Sequence, residues 1–131
     1  MAAIVFSQLK PQPEGNVTVA EMEDVGNTPA LTQLAAAATE IHWVQYDNTR
    51  NAAITFLKIW DVAAAPAVGT DAPDAFVFPC PPSEAGYCKI SRGVDLVITN
   101  GVYVAALTSN DDSATTPPSG QFNCKIGHDS T

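Results

Sequence analysis

Between Trp43 and Ser109 the chain is a series of short apolar runs separated by turn formers. The runs are Ile41 to Tyr46, Ala53 to Trp60, Ala75 to Phe78, Asp95 to Thr99 and Val102 to Thr108, each bounded by Asn, Asp, Gly or Pro. They are rich in β-branched and aromatic residues, which fit a pleated, half-buried surface, and they are too short for stable helices. A chain of 131 residues suffices for one domain with a real core. The pattern predicts an all-β fold: a single antiparallel β-sandwich, jelly-roll-like, with an extended N-terminal arm.

Residues 1–30 have a different texture. Pro11, Pro13, Gly15, Gly26 and Pro29 punctuate them, and Glu14, Glu21, Glu23 and Asp24 make them acidic. They are expected to be an arm that orders against a neighbour or the first strands of the sandwich, with Ala3–Leu9 and Val17–Met22 as candidate strands. The sandwich domain is assigned to residues 31–131. Its first stretch, Leu31 to Thr39, has the alanine content of a helix but is short for one. We read it as an extended strand leading into Trp43.

Further along, Asp47 to Asn51 is expected to be a hairpin-like turn, and Ala63 to Asp74 and Asn110 to Gly120 loops. Proline supplies no ladder donor, so Pro79, Pro81 and Pro82 are expected to end the strand that contains Phe76. Asn100-Gly101 signals a tight turn between two β runs. Phe122 to Ile126 alternates and reads as the last strand.

The charge balance excludes some functions. Fourteen acidic and six basic residues leave a net charge of -8. The basic residues are Lys10, Arg50, Lys58, Lys89, Arg92 and Lys125, scattered along the chain rather than clustered for phosphate binding. No nucleic-acid partner is expected. No run approaches the roughly 20 apolar residues of a membrane span, so no membrane partner is expected either. The first residues lack the basic segment and long apolar run of a signal peptide, which points to cytosolic synthesis. In that setting the sequon Asn16-Val17-Thr18 is read as chance.

The residue types that carry chemistry are few. His42 lies among apolar residues of an expected strand. His128 lies near the C-terminus, in what reads as a flexible tail, and His128-Asp129-Ser130 is too local to be held as a triad. Cys80, Cys88, Cys124 and His128, the last two spaced C-x₃-H, offer four potential zinc ligands, but structural zinc sites usually show a closely spaced C-x₂₋₄-C pair, and seven residues lie between Cys80 and Cys88. A Cys80–Cys88 disulfide is the other possibility. Buried free thiols explain Cys80 beside Phe78 and Cys124 between Phe122 and Ile126 more simply. Asp71 and Asp74, and Asp111 and Asp112, read as solvated loop acids without the ordered spacing of a calcium loop. The eight glycines form no phosphate-binding motif. Trp43, Tyr46, Trp60, Tyr87 and Tyr103 are candidates for a sugar-stacking platform, although alternation places Trp43 with Ile41, and Trp60 with Ile54 and Phe56, as core residues. The sequence therefore points to no catalytic, cofactor-binding or metal-ligating residue, to no cofactor, and to a non-enzymatic role.

One longer-range resemblance bears on that role. The order of signatures runs from Tyr46-Asp47-Asn48-Thr49-Arg50-Asn51, through Leu57-Lys58-Ile59-Trp60-Asp61 and the Ala-rich turn ending Val68-Gly69-Thr70, to Asp71-Ala72-Pro73 and Phe76-Val77-Phe78-Pro79. It closes with Gly93-Val94-Asp95-Leu96 and Ile98-Thr99-Asn100-Gly101-Val102-Tyr103-Val104-Ala105-Ala106. This order resembles a β-sandwich module of tailed-bacteriophage virion proteins, which includes capsid decoration (cement) proteins. The resemblance covers about half of the chain. The longer N-terminal segment and the Cys-bearing loop depart from it. It implies a structural virion protein on the capsid surface, made in the host cytoplasm. The implied partners are the major capsid protein or other virion proteins and further copies of the chain, with a homotrimer favoured. The alternative implied is a tail or receptor-binding accessory module with carbohydrate-binding aromatics.

Overall fold

A computed structural model describes residues 17–24, 31–89 and 96–129. Among them there is no helix, and nine strands form two antiparallel sheets. The strands are β1 (Val17–Asp24), β2 (Thr32–Ala35), β3 (Thr39–Asp47), β4 (Thr55–Asp61), β5 (Phe76–Cys80), β6 (Ala85–Lys89), β7 (Leu96–Ile98), β8 (Val102–Leu107) and β9 (Phe122–Asp129). The first sheet runs β1-β9-β3-β6, with β7 continuing the β6 edge along the other half of β3. The second runs β2-β8-β4-β5.

The sheets share one apolar core. Ile41, Val44, Phe122, Cys124 and Ile126 of the first sheet meet Leu57, Ile59, Cys80, Val102, Val104 and Ala106 of the second. Period-2 alternation produces this directly: Phe122, Cys124 and Ile126 point inward, as do Val102, Val104 and Ala106. Tyr46 and Phe78 join the sheets edge-to-face, with ring centroids 6.0 Å apart.

The expected all-β antiparallel sandwich is present, and the Leu31–Thr39 stretch contains strand β2. Val17–Met22 lies within β1, whereas Ala3–Leu9 lies outside the described residues. Asn100-Gly101 lies between two strands, β7 and β8, as expected, and crosses from one sheet to the other. One turn assignment changes: Asp47 to Asn51 also connects strands of different sheets, so it closes no hairpin. Local turn chemistry specifies a reversal, but burial decides which sheet receives the next strand.

Pro79 also departs from expectation, because β5 continues through it to Cys80 and pairs it with Phe56. β5 is the edge of its sheet, where a missing N–H costs nothing if it faces outward.

Side-chain locks hold the sheet-to-sheet crossings. Asn48 is fully buried, and its Nδ2 donates to the carbonyls of Ala53, Cys80 and Pro81 at 3.2, 3.1 and 2.9 Å. Its Oδ1 accepts from Asn51 Nδ2 and Thr55 Oγ1. Asn51 Oδ1 accepts from the Gly120 N–H at 2.7 Å. At the opposite crossing the Asp61 carboxylate accepts from the backbone N–H groups of Thr99, Asn100 and Gly101.

Candidate functional site

The densest group of chemistry-bearing side chains lies where β3 meets the end of β9. Ile41 pairs with His128 and Trp43 with Gly127, so β3 has one extra residue between them, His42. This is a β-bulge, a device that re-aims side chains. Ile41 and Val44 both reach the core across the bulge. Glu40 alternates with Ile41, and Asp129 with His128, so both stand on the outer face of the sheet.

The bulge turns His42 toward these two acids. His42 Nε2 lies 2.6 Å from Asp129 Oδ1. One donor atom each from Glu40, His42 and Asp129 lie within 4.8 Å of one another. On the inner side, His128 Nδ1 lies 3.1 Å from Thr39 Oγ1 and 2.9 Å from the Asp129 carbonyl oxygen. The Thr39 hydroxyl also reaches that carbonyl. Burial lowers the His128 pKa and the adjacent His42 pushes the same way, opposed by the Asp129 backbone and carboxylate.

His128 is therefore a buried residue of β9, which corrects its reading as part of a flexible tail. The signal was available, since the inward series Phe122, Cys124, Ile126 continues in step to His128. The sequence reading also assigned no metal ligand, yet Glu40, His42 and Asp129 converge. Asp129 is separated from Glu40 and His42 by most of the chain, and the bulge that turns His42 toward the two acids has no sequence signature of its own.

The four potential zinc ligands considered from sequence do not form a set. Cys124 and His128 are four strand steps apart, about 13 Å along a strand. Cys80, Cys88 and Cys124 are all reduced, so Cys80 and Cys88 form no disulfide. Cys80 and Cys124 lie in the core, and burial pushes the Cys80 thiol up to about 12 against a hydrogen bond from the Leu57 backbone. Such a thiol is a packing residue rather than a nucleophile.

Two of the loop acids accept backbone hydrogen bonds: Asp71 Oδ2 from the Ala67 N–H of its own loop, and Asp74 Oδ1 from the Asp61 N–H at the end of β4. Lys58 is only 1% exposed on the outer face of the second sheet. Its Nζ donates to the Asp111 carbonyl at 2.6 Å, which ties the loop after β8 over the sheet. Burial lowers its pKa, partly offset by Asp112 and Asp111.

The five aromatics do not form one platform. Trp60 and Tyr103 pair in the second sheet, while Trp43, Tyr46 and Tyr87 belong to the first. The bulge puts Trp43 on the outer face, over Gly127, rather than with Ile41. Trp43 is 3% exposed and packs against Tyr87 at 5.9 Å between ring centroids. Trp60 is buried and donates its Nε1–H to the Asp71 carbonyl. Tyr87 is 50% exposed.

Compared with known proteins, the chain matches no family model, no curated protein and no solved structure.

Proposed function

We propose that this chain is a structural virion protein of a tailed bacteriophage, a jelly-roll decoration protein that binds the capsid surface as a homo-oligomer and cements it. The observation that carries the reading is the strand order. If β6 and β7 are taken as one interrupted strand, eight strands run 1-9-3-6 in one sheet and 2-8-4-5 in the other. That order supports a jelly-roll reading, an architecture used in viral capsid domains among others. Fold alone does not fix function, and the assignment to phage heads rests on the sequence resemblance as well.

The exposed surface supports an assembling protein. β1 contacts β2 at one flank of the sandwich, so the edges β5 and β6/β7 share the other. That flank exposes Phe76, Tyr87 and Val97, at 43%, 50% and 63%. Apolar side chains on unpaired edges suit contact with another subunit. A second copy of the chain is the occupant proposed, in a closed symmetric oligomer, with a trimer favoured because it would suit quasi-three-fold positions on a capsid. The N-terminal arm, residues 1–30, is proposed to touch the shell; residues 1–16 and 25–30 lie outside the described residues.

The test is a particle lacking this chain. Such heads should lose their DNA at a lower temperature than complete heads, and purified protein added back should rebind and restore the difference. Heads of unchanged heat resistance that bind no added protein would refute the cement role.

A further inference from the structure

We propose that Glu40, His42 and Asp129 bind one divalent transition-metal ion, best matched by zinc, which clamps the end of β9 to β3. The three donors come from two adjacent strands and already lie within 4.8 Å of one another. Zinc holds imidazole nitrogen and carboxylate oxygen at about 2.0–2.2 Å, so donors around one tetrahedral ion lie about 3.5 Å apart. The 2.6 Å contact of His42 with Asp129 opens by less than about 1 Å to admit the ion, while Glu40 closes in.

Donor chemistry selects the ion. A mixed imidazole and carboxylate set suits zinc and its transition-series neighbours, whereas calcium takes six to eight oxygens. With His42 neutral, the two carboxylates carry the charge that one divalent cation balances, in a chain whose net charge is -8. A hydrogen-bonded His–Asp pair needs one carboxylate; the second, from Glu40, is what an ion uses. Asp129 is also held from behind, since its carbonyl takes hydrogen bonds from the Thr39 hydroxyl and His128 Nδ1. Such support fixes the backbone from which the Asp129 carboxylate projects. Three protein ligands leave a position open to water.

The experiment titrates the chelator-treated full chain with zinc chloride and, separately, calcium chloride, by calorimetry and thermal melting. One zinc per chain is expected, with a rise in Tm of about 5 °C or more at saturation and at least roughly tenfold weaker calcium binding. Glu40→Gln leaves the His42–Asp129 bond in place and should weaken zinc at least about tenfold without lowering the metal-free Tm. X-ray absorption at the zinc edge should show only nitrogen and oxygen ligands. No zinc binding tighter than millimolar, sulfur in the zinc shell, or unchanged affinity in Glu40→Gln would each overturn the proposal.

Discussion

Trp43 lies across Gly127, so close that a Cβ on Gly127 would fall 2.2 Å from its indole ring. The two residues face each other in the β3–β9 register. Gly127→Ala should therefore push the indole off the sheet and destabilise the protein by about 1–3 kcal/mol, as overpacking does. The cost should shrink sharply in a Trp43→Ala background, because the clash is then gone. Urea unfolding of the four proteins of this cycle measures the coupling; additive losses would mean the contact is unimportant.

Asn48→Ala should cost about 3 kcal/mol, because Ala53, Cys80 and Pro81 lose a donor, and Asn51 and Thr55 an acceptor, in a buried corner. Asn48→Asp should cost at least as much, since it turns a carboxylate toward carbonyl oxygens. Equilibrium denaturation of both variants checks the order. A loss below 1 kcal/mol for each would show that water replaces these bonds with little penalty.

The sandwich was legible in the sequence because its strands alternate in step with the pleat, as in Phe122, Cys124 and Ile126. Connectivity was less so. Asp47 to Asn51 has the composition of a hairpin turn, but Asn48 enters the interior and carries the chain to the other sheet. Faces failed where the period failed, since the extra residue at His42 moved Trp43 from the expected core side to the outer face. The Glu40, His42 and Asp129 group depends on that same shift. Lys58 read as one of a few scattered cations, because the loop that covers it is held by a backbone carbonyl, which no residue type announces.

Asp61 gives a pH dependence of known sign. Burial raises its pKa, but the backbone N–H groups of Thr99, Asn100 and Gly101 and the Asn100 side chain outweigh it and hold the carboxyl below its ordinary value. A carboxyl with a lowered folded pKa adds stability above its unfolded value of about 3.9 and loses it as pH falls through the folded value. Asp61→Asn should thus lower Tm at pH 7 while narrowing the difference between pH 7 and pH 3. An unchanged pH profile would remove Asp61 from the acid response.

Lys58→Met keeps the buried stem but loses the bond to the Asp111 carbonyl. The loop after β8 should then open more often, with faster hydrogen exchange at Ala114 and Thr108, whose N–H groups bond within that loop. Exchange in β4 and β8 should change little. Equal acceleration throughout the sandwich would indicate that Lys58 supports the whole fold rather than the loop.

The cement role requires that many copies of this β-sandwich coat a phage head. Quantitative mass spectrometry of purified virions, counting this chain against the major capsid protein, tests it most directly. A fixed ratio amounting to on the order of hundreds of copies per particle is expected, as repeated symmetric positions require. A handful of copies per particle, or none, would contradict it.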